Sequence, residues 1–294
     1  MKSLSIVLMG LLVVPAFGSG PQYPDVGLFN PHNSLFKRGA RQAPEVALTF
    51  DDGPHVQSTK RILEILRQYK VHATFFVVGE KVDEQPELAK AILHAGCELG
   101  NHTMTHPRLD TLTAPEIRQQ LLDCQSSVAK ATGRSMNLMR PPGMRFNHTV
   151  LQTAHNLGYY TIGWNVGAKD FIVAGTANST LSPMDSWLEP HGLALAQRVL
   201  GQVKHGDIIL LHDAADTADA LPAILFGLKR MGYSVETVTE MMRQLPEPIN
   251  IEANPPVGKR SHSPISVNNF KSAADSSAVR NKSGRLVRVK DSAI

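Results

Sequence analysis

Short apolar runs alternate with longer amphipathic stretches from about residue 45 to residue 244. The first apolar run, residues 46–50, consists of apolar and β-branched residues, which predicts a buried strand. In the stretch that follows, residues 59–69, the Ile and Leu residues recur at helical spacing. This alternation predicts an α/β fold in which parallel strands are covered by helices.

The same pattern continues through the body of the chain. It predicts further strands at 73–78, 97–99, 159–166, 207–211 and 233–238. It predicts further helices at 86–94, 115–132, 149–157, 193–203, 221–231 and 240–244. In barrels built from such units, chemistry collects at the carboxyl ends of the strands, so the polar residues at strand ends are the candidates for function.

Both ends of the chain differ in composition from the body. Lys2, the apolar residues 4–14 and Ala16-Phe17-Gly18 are typical of a cleaved export signal, and the apolar run is too short to span a membrane as a helix. We predict a signal peptide at 1–18, a loose leader at 19–43, one folded domain at 44–245 and a disordered basic tail at 246–294. We expect an exported protein, whether secreted, periplasmic or cell-wall associated, with no stable membrane insertion after signal cleavage.

The net charge of +4 comes from the tail rather than from the body. From residue 250 onward, eight Lys or Arg residues accompany three acidic residues, which leaves the body close to neutral. Nucleic-acid binding requires a basic face on a folded domain, so this distribution argues against it. The tail could dock on an anionic polymer or membrane. We favour a solvated extension, and we expect deletion of residues 250–294 to leave catalysis on a soluble substrate unchanged.

Cys97 and Cys124 are the two cysteines of the chain. Export permits a disulfide between them. Because one bridge does not make the framework of a small disulfide-stapled domain, we favour two buried free thiols. Two cysteines alone cannot form a zinc site of the four-cysteine type.

Two adjacent carboxylates, Asp51 and Asp52, end the first predicted strand before Gly53-Pro54. Charged groups are rarely buried unless they are paired or bind a metal. Asp-Gly is also a common turn pair, and in that interpretation both side chains face solvent. Because successive strand residues face opposite ways, one carboxylate could bind a metal while the other stays free as a base.

His102 and His106 follow a short predicted strand and are four residues apart. One helical turn would bring both imidazoles to the same side, although such a pair is often only structural. Together with Asp52 they would form a set of two histidines and one carboxylate. Such a set binds a metal and leaves positions open for water and substrate.

Three further polar residues lie near predicted strand ends. Arg140 is suited to hold a carboxylate in place, unless it is an ordinary surface arginine before a Pro-Pro turn. His212 ends an apolar strand, where a lone histidine is more often structural. Asp170 could orient His212 and raise its pKa, which would make His212 a competent acid.

Five motifs occur in a fixed order: TFDDGP from Thr49, HTMTH from His102, RPPG from Arg140, WNVGAKDF from Trp164 and IILLHD from Ile208. The segments VHATFFVVG, AGCELGNHT and LKRMGYSVETV accompany them. Together they resemble the NodB-type polysaccharide deacetylases, the family 4 carbohydrate esterases. The resemblance runs from about residue 44 to about residue 244.

The resemblance implies a distorted parallel (β/α) barrel and a divalent metal, with Zn²⁺ favoured and Co²⁺, Ni²⁺ or Mn²⁺ as alternatives. It implies hydrolysis of N-acetyl groups on an acetylated polysaccharide, such as peptidoglycan- or chitin-like N-acetylglucosamine, with release of acetate. We expect the protein to act as a monomer. Carried over by position, the metal ligands are Asp52, His102 and His106, the base is Asp51 positioned by Arg140, the acid is His212 tethered by Asp170, and the substrate-binding residues are Gly143, Phe171 and Leu210.

The chain departs from the family pattern at three positions. Gly143 stands where tyrosine is frequent, Phe171 where tryptophan is frequent, and Gly167 where an acidic residue is common. None of the three is a metal ligand or proton carrier, so they bear on the substrate more than on activity. Two alternatives stay open: an esterase or amidase for another acetylated substrate such as xylan, and a non-catalytic glycan-binding protein on the same scaffold.

Overall fold

The computed structural model describes residues 29–30, 34–168, 170, 191–245, 248–249 and 251–257. The predicted signal peptide, Phe171 and most of the predicted tail lie outside the described residues, and the predictions about them stay predictions. No helix in the described part of the chain is long and apolar enough to cross a lipid bilayer.

The described residues form ten strands and eight α-helices. The strands are β1 (Phe29–Asn30), β2 (Leu35–Phe36), β3 (Glu45–Gly53), β4 (Thr74–Val77), β5 (Glu98–Asn101), β6 (Leu138–Met139), β7 (Tyr160–Ile162), β8 (Val166–Gly167), β9 (Asp207–His212) and β10 (Ser234–Glu236). The helices are α1 (Ser58–Tyr69), α2 (Gly79–Glu84), α3 (Pro86–His94), α4 (Ala114–Thr132), α5 (His148–Asn156), α6 (His191–Leu200), α7 (Ala215–Arg230) and α8 (Val238–Arg243).

All strands belong to one sheet with the order β1-β2-β7-β6-β5-β4-β3-β9-β8, and β10 also pairs with β3. The named strands pair in parallel throughout, except for the antiparallel pair β1–β2. The sheet curls into a half-barrel, which confirms the predicted distorted parallel (β/α) barrel. Because the strands are parallel, their carboxyl ends share one edge, and we call this edge the rim.

The two faces of β3 bury different neighbours, as alternation along a strand requires. Val46, Leu48 and Phe50 join the larger apolar cluster, to which the covering helices contribute. The opposite face carries Ala47, Thr49 and Asp51, and we call it the inner face. At the amino end of the inner face, Ala47 packs in a second cluster with residues of α8. The inner face is therefore apolar at its amino end, whereas Asp51 lies near the rim.

The predicted strand at 159–166 is wrong, because this segment forms two strands at different places in the sheet order. Residues 163–165 bridge the gap between them. The Gly163 N–H donates to Phe36 O at 2.8 Å, and the Asn165 N–H donates to Ile208 O at 3.0 Å. Gly163 and Asn165 interrupt this run, but such residues alone do not show that the chain leaves one sheet edge and joins the other.

Two helices differ from the pattern in the sequence. α7 begins at Ala215, six residues before the predicted start, and Pro222 lies inside it. The predicted helix at 221–231 had Pro222 in its first turn, where proline is best tolerated, whereas in the structure a full turn precedes Pro222. The pattern did not predict α2, which has only 6 residues and is too short to show helical periodicity.

Segments that were predicted to be loose pack against the barrel. In the stretch assigned to the leader, β2 pairs in parallel with β7, and Phe36 is fully buried. In the stretch assigned to the tail, the Asn254 side chain bonds the N–H and the C=O of Leu99 at 2.8 and 2.9 Å. Deleting residues 250–294 would leave these two backbone groups of β5 unpaired, so we now expect that deletion to destabilise the barrel.

Both cysteines are free and buried. Burial raises the pKa of Cys97 to about 11 and that of Cys124 to about 12, so both thiols stay protonated at neutral pH. The preference for free thiols over a disulfide is confirmed.

Candidate metal centre and active site

Both carboxylates of β3 lie at the rim, but they do not face opposite ways as strand alternation predicted. Asp52 has a φ of +68°, and the pairing of β3 with β4 shifts between Asp51 and Gly53. The irregular backbone turns the Asp52 side chain back toward the site. As a result, both carboxylates approach Nε2 of His102, at 3.8 Å from Asp51 and 3.3 Å from Asp52.

His102 and His106 follow β5 on a loop rather than on a helical turn. Thr103 and His106 have left-handed φ values of 71° and 60°, and residues 102–106 contain no helix. The Thr103 hydroxyl accepts a hydrogen bond from the His106 N–H at 3.1 Å and closes the loop. The two rings lie with their centroids 5.1 Å apart. The prediction that the imidazoles meet is thus confirmed, but its helical basis is wrong.

Asp52, His102 and His106 bring three potential ligand atoms within 4.8 Å of one another. Asp52 Oδ1 lies 3.3 Å from His102 Nε2 and 3.1 Å from His106 Nε2. This oxygen is buried and has no hydrogen-bond partner among the described residues. Burial raises the pKa of Asp52, but interactions with the two histidines outweigh burial and hold the pKa far below its usual value.

The tautomer of His102 fits a metal ligand. Its Nδ1 lies 2.8 Å from the carbonyl oxygen of Arg140, which can only accept, so Nδ1 carries a proton. In the neutral ring, the lone pair of Nε2 then faces the Asp52 carboxylate. A metal cation bound between these two electron-rich atoms would satisfy both. Two imidazoles and one carboxylate are a donor set that suits zinc and similar divalent metals.

Arg140 and Asp51 form a buried ion pair beside this centre. Arg140 is 1 % exposed and Asp51 is 4 % exposed. One guanidinium nitrogen donates to Asp51 Oδ1 at 2.7 Å and to the Thr49 hydroxyl at 2.8 Å. The other two nitrogens donate to the carbonyls of Ile162 and Gly163 at 3.2 Å. Every guanidinium nitrogen therefore has a partner, as a buried charge requires.

The Arg140 guanidinium also packs against an aromatic ring. Its central carbon lies 4.2 Å from the ring centroid of Phe76. Burial lowers the pKa of Arg140, and the Asp51 charge opposes that shift. Arg140 is thus fixed from several sides, and it fixes Oδ1 of Asp51 in turn while Oδ2 points toward His102.

His212 lies at the end of β9, opposite Asp51 in the register of the sheet. Its Nδ1–H donates to Asp170 Oδ1 at 2.6 Å, and its backbone N–H donates to Asp170 Oδ2 at 2.6 Å. The Thr217 hydroxyl donates to the same Oδ2 at 2.8 Å. Burial lowers the pKa of His212, but the bond to Asp170 outweighs it and raises the pKa to about 9. His212 Nε2 is 4.0 Å from Asp52 Oδ2, so its other nitrogen faces the centre.

The structure describes only some of the predicted substrate-binding residues. Leu210 lies two residues before His212 and pairs with Thr49, so it belongs to the inner face just below the rim. Gly143 is exposed and has a φ of +58° in the 3₁₀ turn Pro142–Met144. Phe171 lies outside the described residues. A Cβ at Gly167 would lie 3.3 Å from the Trp164 ring, so this ring fills the space where the family carries an acidic side chain.

Two residues of the site were missed from the sequence. Thr49 precedes Asp51 by two positions, and that spacing alone could have placed it on the same face beside Arg140. Thr217 bonds Asp170 from the first turn of α7, which the pattern placed too late in the chain. Its role carries no signal in the sequence.

Comparison with known proteins places these features in a family. A family model for polysaccharide deacetylases matches residues 38–162. The chain is 37 % identical over 202 residues to a peptidoglycan-N-acetylglucosamine deacetylase of Bacillus cereus, covering 67 % of this chain and 88 % of the relative. It is 32 % identical over 229 residues to a peptidoglycan-N-acetylmuramic acid deacetylase of Bacillus subtilis, covering 75 % and 81 %.

Among solved structures, a Bacillus anthracis protein described as a CE4 family pseudoenzyme superposes with a TM-score of 0.62 and 33 % identity. The match covers 70 % of this chain and 68 % of that one. This likeness shows that the fold alone does not establish turnover, so the case for activity depends on the residues at the rim.

Proposed function

The chain belongs to the NodB-type polysaccharide deacetylases, the family 4 carbohydrate esterases, and we propose that it hydrolyses N-acetyl groups of an extracellular or cell-wall polysaccharide with N-acetylglucosamine-like units. One observation carries the proposal. The metal-ligand set, a buried carboxylate held by arginine and a histidine held by aspartate all converge on one edge of the barrel.

Asp52, His102 and His106 would hold the divalent metal, for which Zn²⁺ is our first choice. When bound, such a metal polarises a carbonyl group and lowers the pKa of water. Asp52 is 34 % exposed at its side chain and His106 is 44 % exposed, so the centre is open to substrate on one side.

Asp51 is assigned the general base. Arg140 binds one of its oxygens and fixes its orientation, while the other oxygen lies 3.8 Å from His102 Nε2, beside the metal-ligand set. That second oxygen can take a proton from the attacking water. Without this proton transfer, water is a weak nucleophile toward an amide.

His212 is assigned the general acid. An amine leaves an amide readily only when it is protonated. With a pKa of about 9, His212 is protonated at neutral pH, and Asp170 directs its Nε2–H toward the centre. Asp51 and His212 lie opposite each other across the β3–β9 ladder, so a substrate between them would meet a base and an acid together.

The remaining contacts of the substrate are assigned by position. Leu210 lies below His212 and would contact the acetyl methyl group, together with Phe171. A backbone N–H near Gly143 would donate to the tetrahedral oxyanion. We propose that the protein reaches its substrate outside the cytoplasm after cleavage of residues 1–18, and that it acts as a monomer.

Acetate release from a panel of acetylated glycans tests this function. The panel holds chitin oligomers, peptidoglycan fragments and acetylated xylan, and chelator-treated protein is compared with the same protein after zinc is restored. We expect zinc-restored release from an N-acetylated glycan. Release from xylan alone would favour the esterase alternative. No release from any glycan, with metal shown to be bound by calorimetry, would favour a binding protein.

A further inference from the structure

The loop that carries His102 and His106 is held in an unfavourable backbone conformation. Thr103 and His106 both have φ values in the left-handed region, at 71° and 60°. Residues other than glycine rarely adopt this region, and they stay in it only where the surrounding contacts fix them. We call residues 102–106 the ligand loop, and we ask which contacts keep its two imidazoles in place.

The carbonyl groups of the ligand loop are bound by the start of α2. The Gly79 N–H donates to Thr103 O at 3.0 Å. The Glu80 N–H donates to Met104 O at the same distance. These two bonds fix the ligand loop from one side, through its carbonyl oxygens.

The N–H groups of the ligand loop are bound by one side chain of α4. Gln120 Oε1 accepts from the N–H of Met104 and from the N–H of Thr105, both at 3.0 Å. Gln120 Nε2 donates to the Thr105 hydroxyl at 3.0 Å. Because backbone N–H groups can only donate, the amide oxygen has to face them, and the orientation of the amide is determined. Gln120 therefore binds the part of the ligand loop that separates the two imidazoles.

The backbone of Gln120 is fixed by the packing of α4, a helix of 19 residues. Ile117, Leu121 and Cys124 of this helix are buried in the larger apolar cluster. Gln120 directly precedes Leu121, so its position does not depend on a bound metal. Gln120 can therefore hold the ligand loop in the metal-binding conformation before a metal arrives.

We propose that Gln120 is a positioning residue for the metal centre: it keeps the two imidazoles of the ligand loop directed at Asp52 in the metal-free protein and thereby raises the affinity for the divalent metal. This inference rests on the proposed function, because it uses the ligand set of that site. Without the Gln120 side chain, the ligand loop can relax from its left-handed conformations when no metal is bound. Metal binding then has to restore them, and the free energy required for this lowers the affinity.

Zinc titration tests this role. Chelator-treated protein is titrated with Zn²⁺ in competition with a fluorescent zinc indicator. Gln120→Met keeps the approximate length of the side chain and removes both polar atoms, whereas Gln120→Glu keeps an oxygen that can accept from the two N–H groups. Gln119→Met and Gln119→Glu are the matched controls, because Gln119 is exposed on the same helix and donates to Asp123 at 2.6 Å instead.

We expect Gln120→Met to weaken zinc binding about tenfold, at the lower end of the range for partners that orient metal ligands. Gln120→Glu should bind zinc at least as tightly as the wild type. Both Gln119 variants should stay within about twofold of the wild type, so Gln119→Glu separates the restored acceptor from the added negative charge. Unchanged zinc affinity in Gln120→Met would overturn the inference, and so would a loss that Gln120→Glu does not restore.

Urea unfolding with and without zinc distinguishes positioning from a general stabilising role. If Gln120 only stabilised the fold, Gln120→Met would lower the free energy of unfolding equally in both conditions, because linkage then requires an unchanged zinc affinity. We expect a larger loss in the presence of zinc than in the metal-free protein. An equal loss in both conditions would overturn the inference.

The wild type shows whether a failure concerns the inference or the proposed function. No zinc binding by the wild type, or no acetate release from any glycan after zinc is restored, would contradict the proposed function itself. Zinc binding and acetate release by the wild type, together with a zinc affinity that Gln120→Met leaves unchanged, would contradict only the role of Gln120.

Discussion

Asp51 and Glu98, two of the buried carboxyl groups among the described residues, lie at opposite ends of the barrel, and their partners differ in charge. At the rim, Asp51 is 4 % exposed and receives a hydrogen bond from the Arg140 guanidinium. At the amino end, Glu98 is 3 % exposed at the start of β5, and its hydrogen-bond donors are all neutral: the hydroxyls of Thr74 and Thr239 and the Thr239 N–H. We call this second group, Glu98 with Thr74 and Thr239, the floor.

The two carboxyl groups differ in the partners that stabilise them in the protein interior. Without a cationic partner, burial raises the pKa of Glu98 to about 7, although its hydroxyl partners oppose the shift. The floor therefore holds a carboxyl group that is about half protonated near neutral pH. The rim supplies an opposite charge 2.7 Å from Asp51, and the Arg140 guanidinium fixes the orientation of that carboxylate.

The largest expected effect is a loss of turnover when Asp51 is replaced, with no such loss when Glu98 is replaced. Asp51→Asn should lower kcat by about 100- to 10,000-fold, because the amide cannot take a proton from water. Zinc affinity should change far less, since Asp51 is not in the ligand set. Glu98→Gln should leave kcat within about twofold of the wild type, because it acts at the other end of the barrel. Steady-state kinetics and zinc calorimetry on both variants check this.

A loss of zinc binding in Asp51→Asn would mean that Asp51 acts as a ligand rather than as a base. A comparable loss of kcat in Glu98→Gln would mean that the floor controls the geometry of the rim, and the separation of the two regions would be wrong.

The rim could be predicted from the sequence and the floor could not. Strand ends in a parallel sheet share an edge, so Asp51, Asp52 and His212 were expected to lie together. The left-handed conformations of Asp52 and His106 could not be predicted, because a spacing of four residues fits both a helix and a tight loop. Glu98 lies in a short strand whose inward face depends on contacts with the distant Thr239.

A smaller expected effect tests the rim by stability rather than by catalysis. Arg140→Met removes the cation and leaves Asp51 buried without its partner. Breaking a buried ion pair in this way costs about 3–5 kcal/mol of unfolding free energy. Urea unfolding of the metal-free protein at pH 7 measures it. The matched control is Arg67→Met, which breaks an exposed pair with Glu64 and should change little.

If Arg140→Met were as stable as the Arg67→Met control, the Arg140–Asp51 pair would contribute no net stability, and burial of Asp51 would have to be compensated by other contacts. The contrast between the rim and the floor would then concern orientation alone. A normal unfolding energy together with lost turnover would still support the positioning role of Arg140.

The smallest expected effect tests the floor by the pH dependence of stability. The folded pKa of Glu98 is raised above its unfolded value, so the folded form holds the proton more tightly between about pH 4.5 and pH 7. The contribution of this tighter proton binding to the free energy of unfolding is complete below about pH 4.5, and it is lost as the pH rises through about 7. The shift from 4.5 to about 7 corresponds to about 3 kcal/mol.

Glu98→Gln removes this titration while it keeps the size of the side chain. The variant and the wild type should have similar unfolding free energies below pH 5, and the variant should be the more stable protein at pH 8 by up to about 3 kcal/mol. Urea unfolding from pH 4 to pH 8 measures the difference, with Glu84→Gln, exposed on α2, as the control. A constant difference across this range would show that Glu98 titrates alike in the folded and unfolded protein. Its neutral partners would then suffice to stabilise a buried carboxylate without a cationic neighbour.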